Sequence, residues 1–168
     1  FNQPILPPII DEAESAGVVN PSQVLVYLPF EAQAQVLAWL APLTDYQFNV
    51  YGPGLTKAEH GHIKTHPLAL QPFKNDLASC QYVLSNAGFE LASEALQLGK
   101  KILAKPLHAQ MEQISNAAAL KQLGYGQTMH DMDSAIIEQW LHDDNTIHIT
   151  YPNIAKVLVK WIQEGMPE

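Results

Sequence analysis

The chain contains no arginine; its nine basic residues are all lysines, set against 17 carboxylates for a net charge of −8. Without guanidinium forks to read guanine edges or a basic stripe to neutralise backbone phosphates, the composition speaks against nucleic acid as a partner. Cysteine is almost as scarce. Cys80 stands alone, which rules out an intrachain disulfide and a cysteine-based metal cluster and suits a reducing compartment, so the cytoplasm is the expected location. No apolar run reaches the roughly 18–20 residues of a membrane span, and the first residues lack the basic and apolar regions of a secretory signal. Charged residues make up only 15% against 47% hydrophobic. That is too apolar for a disordered segment, and 168 residues can bury one substantial core. The sequence begins at Phe1 rather than Met, as expected of a processed chain or a piece of a longer protein.

What is present is an alternation of short apolar runs with helical segments. Residues 1–23, with Pro4, Pro7, Pro8, Gly17 and Pro21, read as a linker leading in from a preceding domain, because proline fixes φ and withdraws a donor. Residues 24–168 then form the domain. Val24 to Pro29 is a continuous apolar run rich in β-branched residues, suited to a strand buried on both faces. Ala32 to Leu40 reads as helix, Gln47 to Tyr51 as a second strand and His62 to Leu68 as a third. Pro72 starts a helix from Phe73 to Cys80, and Tyr82 to Ser85 is a fourth strand. A helix from Phe89 to Leu98 stops at Gly99; Lys101 to Lys105 is the fifth strand. Helices follow at Met111 to Leu123, stopped by Gly124, at Ser134 to Leu141 and at Ile154 to Gln163. There is no internal repeat. The order predicts an α/β fold, a Rossmann-like open parallel sheet with helices on both faces.

In such a sheet, ligands sit beyond the carboxyl ends of the strands, where loops run into helix N-termini carrying unpaired N–H groups. The fourth strand delivers Ser85-Asn86-Ala87-Gly88 directly into the Phe89 helix, a candidate cradle for a diphosphate. The dinucleotide fingerprint G-x-G-x-x-G and the P-loop are both absent. Glu90 and Glu94 lie one turn apart on the same helix face. Glu94 is placed to reach a pair of sugar hydroxyls, whereas Glu90 is simply a carboxylate favourably placed in a first turn. His60, His62 and His66 alternate through HGHIKTH, but no accompanying carboxylate pattern supports a metal site.

The stretch YVLSNAGFELASEALQLGKKILAKPLHAQMEQISNAAALKQLGYG, from Tyr82 to Gly126, resembles the donor-binding half of GT-B glycosyltransferases. A strand, a Gly turn, a helix with Glu six residues after the Gly, a strand ending in Pro-Leu and then Glu-Gln-x-x-Asn-Ala recur there in that order. The pattern is similar to the MurG-type enzymes of glycosyltransferase family 28, to the signature box of UDP-glucosyltransferases and, most of all, to a bacterial and archaeal MurG-like group. The resemblance implies the carboxy-terminal half of a GT-B fold that binds a UDP-sugar for hexosyl transfer, with no cofactor and no metal. It implies that Asn86, Ala87, Gly88 and Phe89 lie against the diphosphate and that Glu94 takes the ribose hydroxyls. Glu112, Gln113 and Asn116 form the sugar site, the first two bonding its hydroxyls and Asn116 bracing that loop. Leu70 matches the position whose backbone pairs with uracil, and Phe73 walls the base pocket.

One departure from the family pattern shapes the expected site. Asn86 occupies a position where related enzymes carry His or Arg, so Lys105 becomes the nearest candidate cation and the diphosphate is expected to rest mainly on backbone N–H groups. His108, in the next loop, is a candidate for a sugar hydroxyl. The acceptor site and the catalytic residues are expected on an amino-terminal domain that this chain does not include, which would also carry any contact with the inner face of the membrane. Alone, the chain should bind donor without transferring it. UDP-sugar epimerases and hydrolases share the fold, and a non-catalytic interaction module is the alternative from a different class.

Overall fold

The computed structural model describes residues 6–10 and 18–164. Much of the lead-in expected over 1–23 therefore lies outside the described residues. Seven strands form one sheet: β1 (Asn20–Tyr27), β2 (Gln47–Tyr51), β3 (Ala58–His60), β4 (Ile63–His66), β5 (Cys80–Asn86), β6 (Lys101–Lys105) and β7 (Gln127–Thr128). The helices are α1 (Gln33–Leu40), α2 (Leu70–Ser79), α3 (Phe89–Gln97), α4 (Met111–Gln122), α5 (Ser134–His142) and α6 (Ile154–Glu164). The strand order is β3-β4-β2-β1-β5-β6-β7. Every pairing is parallel except β3 with β4.

The apolar runs form the interior strands because both of their faces are covered. Val24, Val26, Leu28, Phe48, Val50, Leu84 and Leu103 pack on one face with Val36 and Leu40 of α1 and Ile137, Trp140 and Leu141 of α5. The alternate residues Leu25, Val83, Ile102 and Ala104 face the other way, onto Leu77 of α2, Ala92, Ala95 and Leu96 of α3, and Ala117 and Leu120 of α4. This two-sided burial is what a continuous apolar strand signals. α3 closes with a Schellman cap, in which Gly99, at φ 66, donates to the Leu96 carbonyl and Lys100 N–H to that of Ala95. The same arrangement ends α4 at Gly124.

Four details differ from the sequence reading. β1 starts at Asn20, before the apolar run, through an irregular register that pairs Asn20 with Cys80. The single strand expected over 62–68 is one arm of a hairpin: β3 pairs back onto β4 through Gly61, at φ 63, making an antiparallel edge. β7 adds two residues beside β6. α2 begins at Leu70 rather than Phe73, because Pro72 falls in the first turn, where a missing N–H costs no helical bond.

α6 is amphipathic and lightly packed. Ile154 is buried, but Val157, Trp161 and Ile162 remain exposed. Among the described residues no helix is long and apolar enough to cross a membrane.

Candidate functional site

The chain leaves β1 toward β2 through α1 on one face, and leaves β5 toward β6 through α3 on the other. The connections diverge between β1 and β5, which makes the carboxyl ends of these two strands the topological switch point and opens a crevice there. Three loops border it: Leu28–Ala32 after β1, Ala87–Gly88 after β5 and Pro106–Gln110 after β6.

The expected diphosphate residues form the turn after β5. Gly88 is the N-cap of α3 and no side chain caps this helix, so its first N–H groups have no intrahelical acceptor. Gly88 has an ordinary φ of −72, and a Cβ placed on it would meet nothing within 4 Å. Its smallness keeps the approach to the backbone open rather than relieving strain. Asn116 on α4 holds the turn by donating from Nδ2 to the Ala87 carbonyl at 3.0 Å. Asn86, almost fully buried, donates from Nδ2 to the Lys105 carbonyl at 3.0 Å, and its Oδ1 is buried without a partner. Glu90 is exposed in the first turn of α3, and Glu94 is half-buried one turn further on.

The expected sugar residues Glu112, Gln113 and Asn116 lie on α4, just beyond the loop after β6 that carries His108. Gln113 is buried, and its Oε1 accepts from the Leu107 N–H at 3.0 Å, so this amide shapes the loop from within. Glu112 and His108 are exposed at the rim. Ala109 has φ 60, a left-handed conformation that favours glycine and strains an alanine. No sequence signal marks that strain.

On the far side of the crevice, aromatic residues from three strand ends meet α2. Phe73 packs edge-on against Tyr27 at 5.4 Å and Tyr51 at 5.2 Å. His66 stacks on Tyr51 at 4.6 Å. Leu70, the first residue of α2, is exposed. Tyr51 donates from its hydroxyl to Asp76 Oδ2 at 2.6 Å; burial, reinforced by Asp76, raises its pKa. Burial lowers that of His66, with Lys57 and Lys64 adding to the effect and Asp76 opposing it. His66 Nε2 contacts Asn49 Oδ1 at 3.1 Å, and His62 turns away to the Leu40 carbonyl. Among the described residues no three His, Cys, Asp or Glu side chains converge on a metal position.

Lys105, the expected nearest cation, pairs with Glu31 of the β1–α1 loop at 2.6 Å. The sequence reading did not pick out Glu31. Gln33 fixes that loop, donating from Nε2 to the Leu28 and Glu31 carbonyls, both at 2.9 Å. A hollow of about 390 Å³ lies elsewhere, around the amino end of β6, lined by Lys101, Gln127 and Asn145 among others. Two of the lysines that line it are already engaged: Lys100 donates to the Ala78 carbonyl, and Lys101 donates to that of Asp143 and lies over the Tyr82 and Trp140 rings.

The doubly covered sheet with its crevice at the β1/β5 switch point is a Rossmann-like half of the GT-B kind. It superposes on the kitacinnamycin glycotransferase with a TM-score of 0.62 at 16% identity, over 95% of this chain and 44% of that one. VinC, a glycosyltransferase solved in complex with dTDP, gives 0.59 at 13% identity over 98% and 49%. SnogD from Streptomyces nogalater gives 0.57 at 18% over 99% and 43%. The chain thus spans less than half the length of each. No curated protein matches it. The sequence model of glycosyl transferase family 1 matches residues 2–143, and the chain belongs to that family.

Proposed function

We propose that this chain is the carboxy-terminal, nucleotide-sugar-binding half of a glycosyltransferase, taking a UDP-linked hexose. The observation that carries the reading is the uncapped start of α3 at the switch point, with open space over Gly88. The diphosphate lies along Asn86, Ala87, Gly88 and Phe89, where oriented N–H dipoles stabilise the charge that develops on the leaving group. Glu94 takes the ribose hydroxyls. Glu112 reaches a sugar hydroxyl from the first turn of α4, with Gln113 holding the loop after β6 in shape, Asn116 holding the turn after β5, and His108 at the rim. The base enters beside Leu70 and Phe73. That VinC was solved with dTDP supports a nucleoside diphosphate as ligand. The preference for uracil rests on Leu70, which matches the position whose backbone pairs with that base, and the MurG-like character on the Glu112-Gln113-x-x-Asn116-Ala117 box.

The acceptor site and general base belong to an amino-terminal half. The length of the neighbours supports this division, as does the exposed apolar face of α6. This half alone binds donor without transferring it, and needs neither metal nor cofactor to do so. Calorimetric titration of UDP, dTDP and UDP-sugars into the chain tests the reading. Saturable heat with UDP exceeding that with dTDP is expected; no saturable heat with any of them at millimolar ligand sinks it. A second reading, a non-catalytic module, draws on the carboxylate that already occupies Lys105. Glu94→Ala separates the two: weaker UDP binding supports a donor site, and unchanged binding the module.

A further inference from the structure

The Lys105–Glu31 pair is placed across the switch point itself. β6 and β1 are separated by β5, so their axes lie two strand spacings apart, roughly 9–10 Å. Lys105 on β6 and Glu31 in the loop after β1 therefore meet across the carboxyl end of β5, beside the turn that opens α3. Both side chains are largely covered, at 10% and 17% exposure, whereas the Lys64–Glu59 and Lys160–Glu164 pairs lie at the surface. Glu31 is delivered there by a loop that Gln33 ties down at two carbonyls. Next to Lys105, Asn86 keeps a buried acceptor, Oδ1, with no donor. An ammonium and an anionic oxygen thus sit at 2.6 Å at the mouth of the turn that opens α3, a helix start with no side-chain cap, in a chain with no arginine.

We propose that Glu31 is a resident stand-in for the donor diphosphate. Its carboxylate holds Lys105 across the crevice and is exchanged for a phosphoryl oxygen when a nucleoside diphosphate binds. This deepens the donor-site reading above and rests on it. A lysine ammonium has three donors and no fixed fork, so it can pass from one anionic oxygen to another without reorienting a plane. Drawn toward β5, it approaches the Asn86 acceptor that lacks a donor. Glu31 thereby tunes affinity downward: it neutralises the cation and places a like charge beside the incoming diphosphate, so entry requires the β1–α1 loop to release its carboxylate. Lys105 is then a binding residue held in reserve, and Glu31 a residue that sets how tightly and how selectively anions are held.

Calorimetry on the wild type, Glu31→Gln, Lys105→Met and the double variant, each with UDP, inorganic pyrophosphate and uridine, tests the exchange. Glu31→Gln should bind UDP and pyrophosphate about tenfold more tightly than the wild type, and Lys105→Met about tenfold more weakly, the scale of one charge-assisted hydrogen bond. Uridine binding should be unchanged throughout, and Glu31→Gln should bring a smaller gain once Lys105 is Met, because only the relief of like charge then remains. Equal or weaker UDP binding by a folded Glu31→Gln protein overturns the proposal and makes the pair a structural tie. If that variant does not fold, Glu31→Asp, which shortens the carboxylate, decides by the same criterion. If UDP binds none of the proteins, the donor reading falls, and pyrophosphate alone decides: tighter binding without Glu31 upholds the exchange, and equal binding or none overturns it.

Discussion

Asn116 reaches from α4 to donate a hydrogen bond to the carbonyl of Ala87 at 3.0 Å, so the helix that carries Glu112 also sets the shape of the turn that opens α3. Asn116→Ala leaves that carbonyl without its side-chain donor and should cost about 1–3 kcal/mol of stability. Urea denaturation measures the loss. If the turn cradles a diphosphate, UDP affinity should fall while uridine affinity holds, and equal losses for both would detach Asn116 from the cradle.

Cys80 is fully buried, with its thiol pointing at the Leu77 carbonyl at 3.4 Å. Burial pushes its pKa up to about 12, so almost no thiolate exists at neutral pH. The native protein should leave Ellman's reagent uncoloured, and one equivalent should react once denaturant is added. Rapid reaction of the folded chain would contradict the buried placement.

His66 gives the fold a defined pH response. Its pKa is lowered in the folded state, chiefly by burial, so below the ordinary value near 6.5 the unfolded chain binds the proton more readily than the folded one. The contribution to stability is therefore fully present above about pH 6.5 and declines as pH falls toward the lower folded value. His66→Gln should flatten the slope of stability below about pH 6.5. An identical slope in both proteins would show that His66 titrates as if exposed.

Ala109 carries the strain of a positive φ in the loop after β6. Replacing it with glycine removes the Cβ clash and should stabilise the protein by about 0.5–1 kcal/mol, less whatever the freer unfolded chain gives back. Thermal melting checks the sign. A lower melting temperature would mean that the loop relies on contacts of the alanine methyl.

The interior of the sheet was legible because its signals are local and strong. β2 and β6 occupy the expected residues, 47–51 and 101–105, since Phe48, Val50 and Tyr51 in one and Ile102 to Ala104 in the other are apolar strand formers bounded by turn or helix residues. Gly99 and Gly124 end their helices for the same reason. The edges were not legible. β3 is Ala58-Glu59-His60 and β7 only Gln127-Thr128; neither carries a strand pattern, and both exist because a neighbouring strand offers a ladder. The turn after β5 could be picked out from Asn86-Ala87-Gly88, but not the pair that spans it. Glu31 and Lys105 are 74 residues apart, and only the strand order, with β5 between β1 and β6, brings them together. Gln113 could be placed at the site but not assigned its bond to Leu107, because side-chain direction depends on how the loop folds back.

One regularity of the helix starts has a thermodynamic consequence. α1, α2, α3 and α4 begin at Ala32, Ala69, Gly88 and Gln110 with no side-chain cap, whereas Asp133 caps α5 by accepting from the Ala135 N–H. An absent cap at an Ala forgoes about 1 kcal/mol of helix stability, and at Gly88 roughly a few tenths of that unit. The free chain is thus less stable than its core would allow, and the deficit is concentrated at helix starts rather than spread through the fold. Through linkage, any molecule that offers acceptors at those starts binds the folded chain alone and raises its melting temperature with concentration. Heat resistance becomes a direct gauge of occupancy, and a screen of anionic ligands by thermal shift needs no knowledge of the reaction.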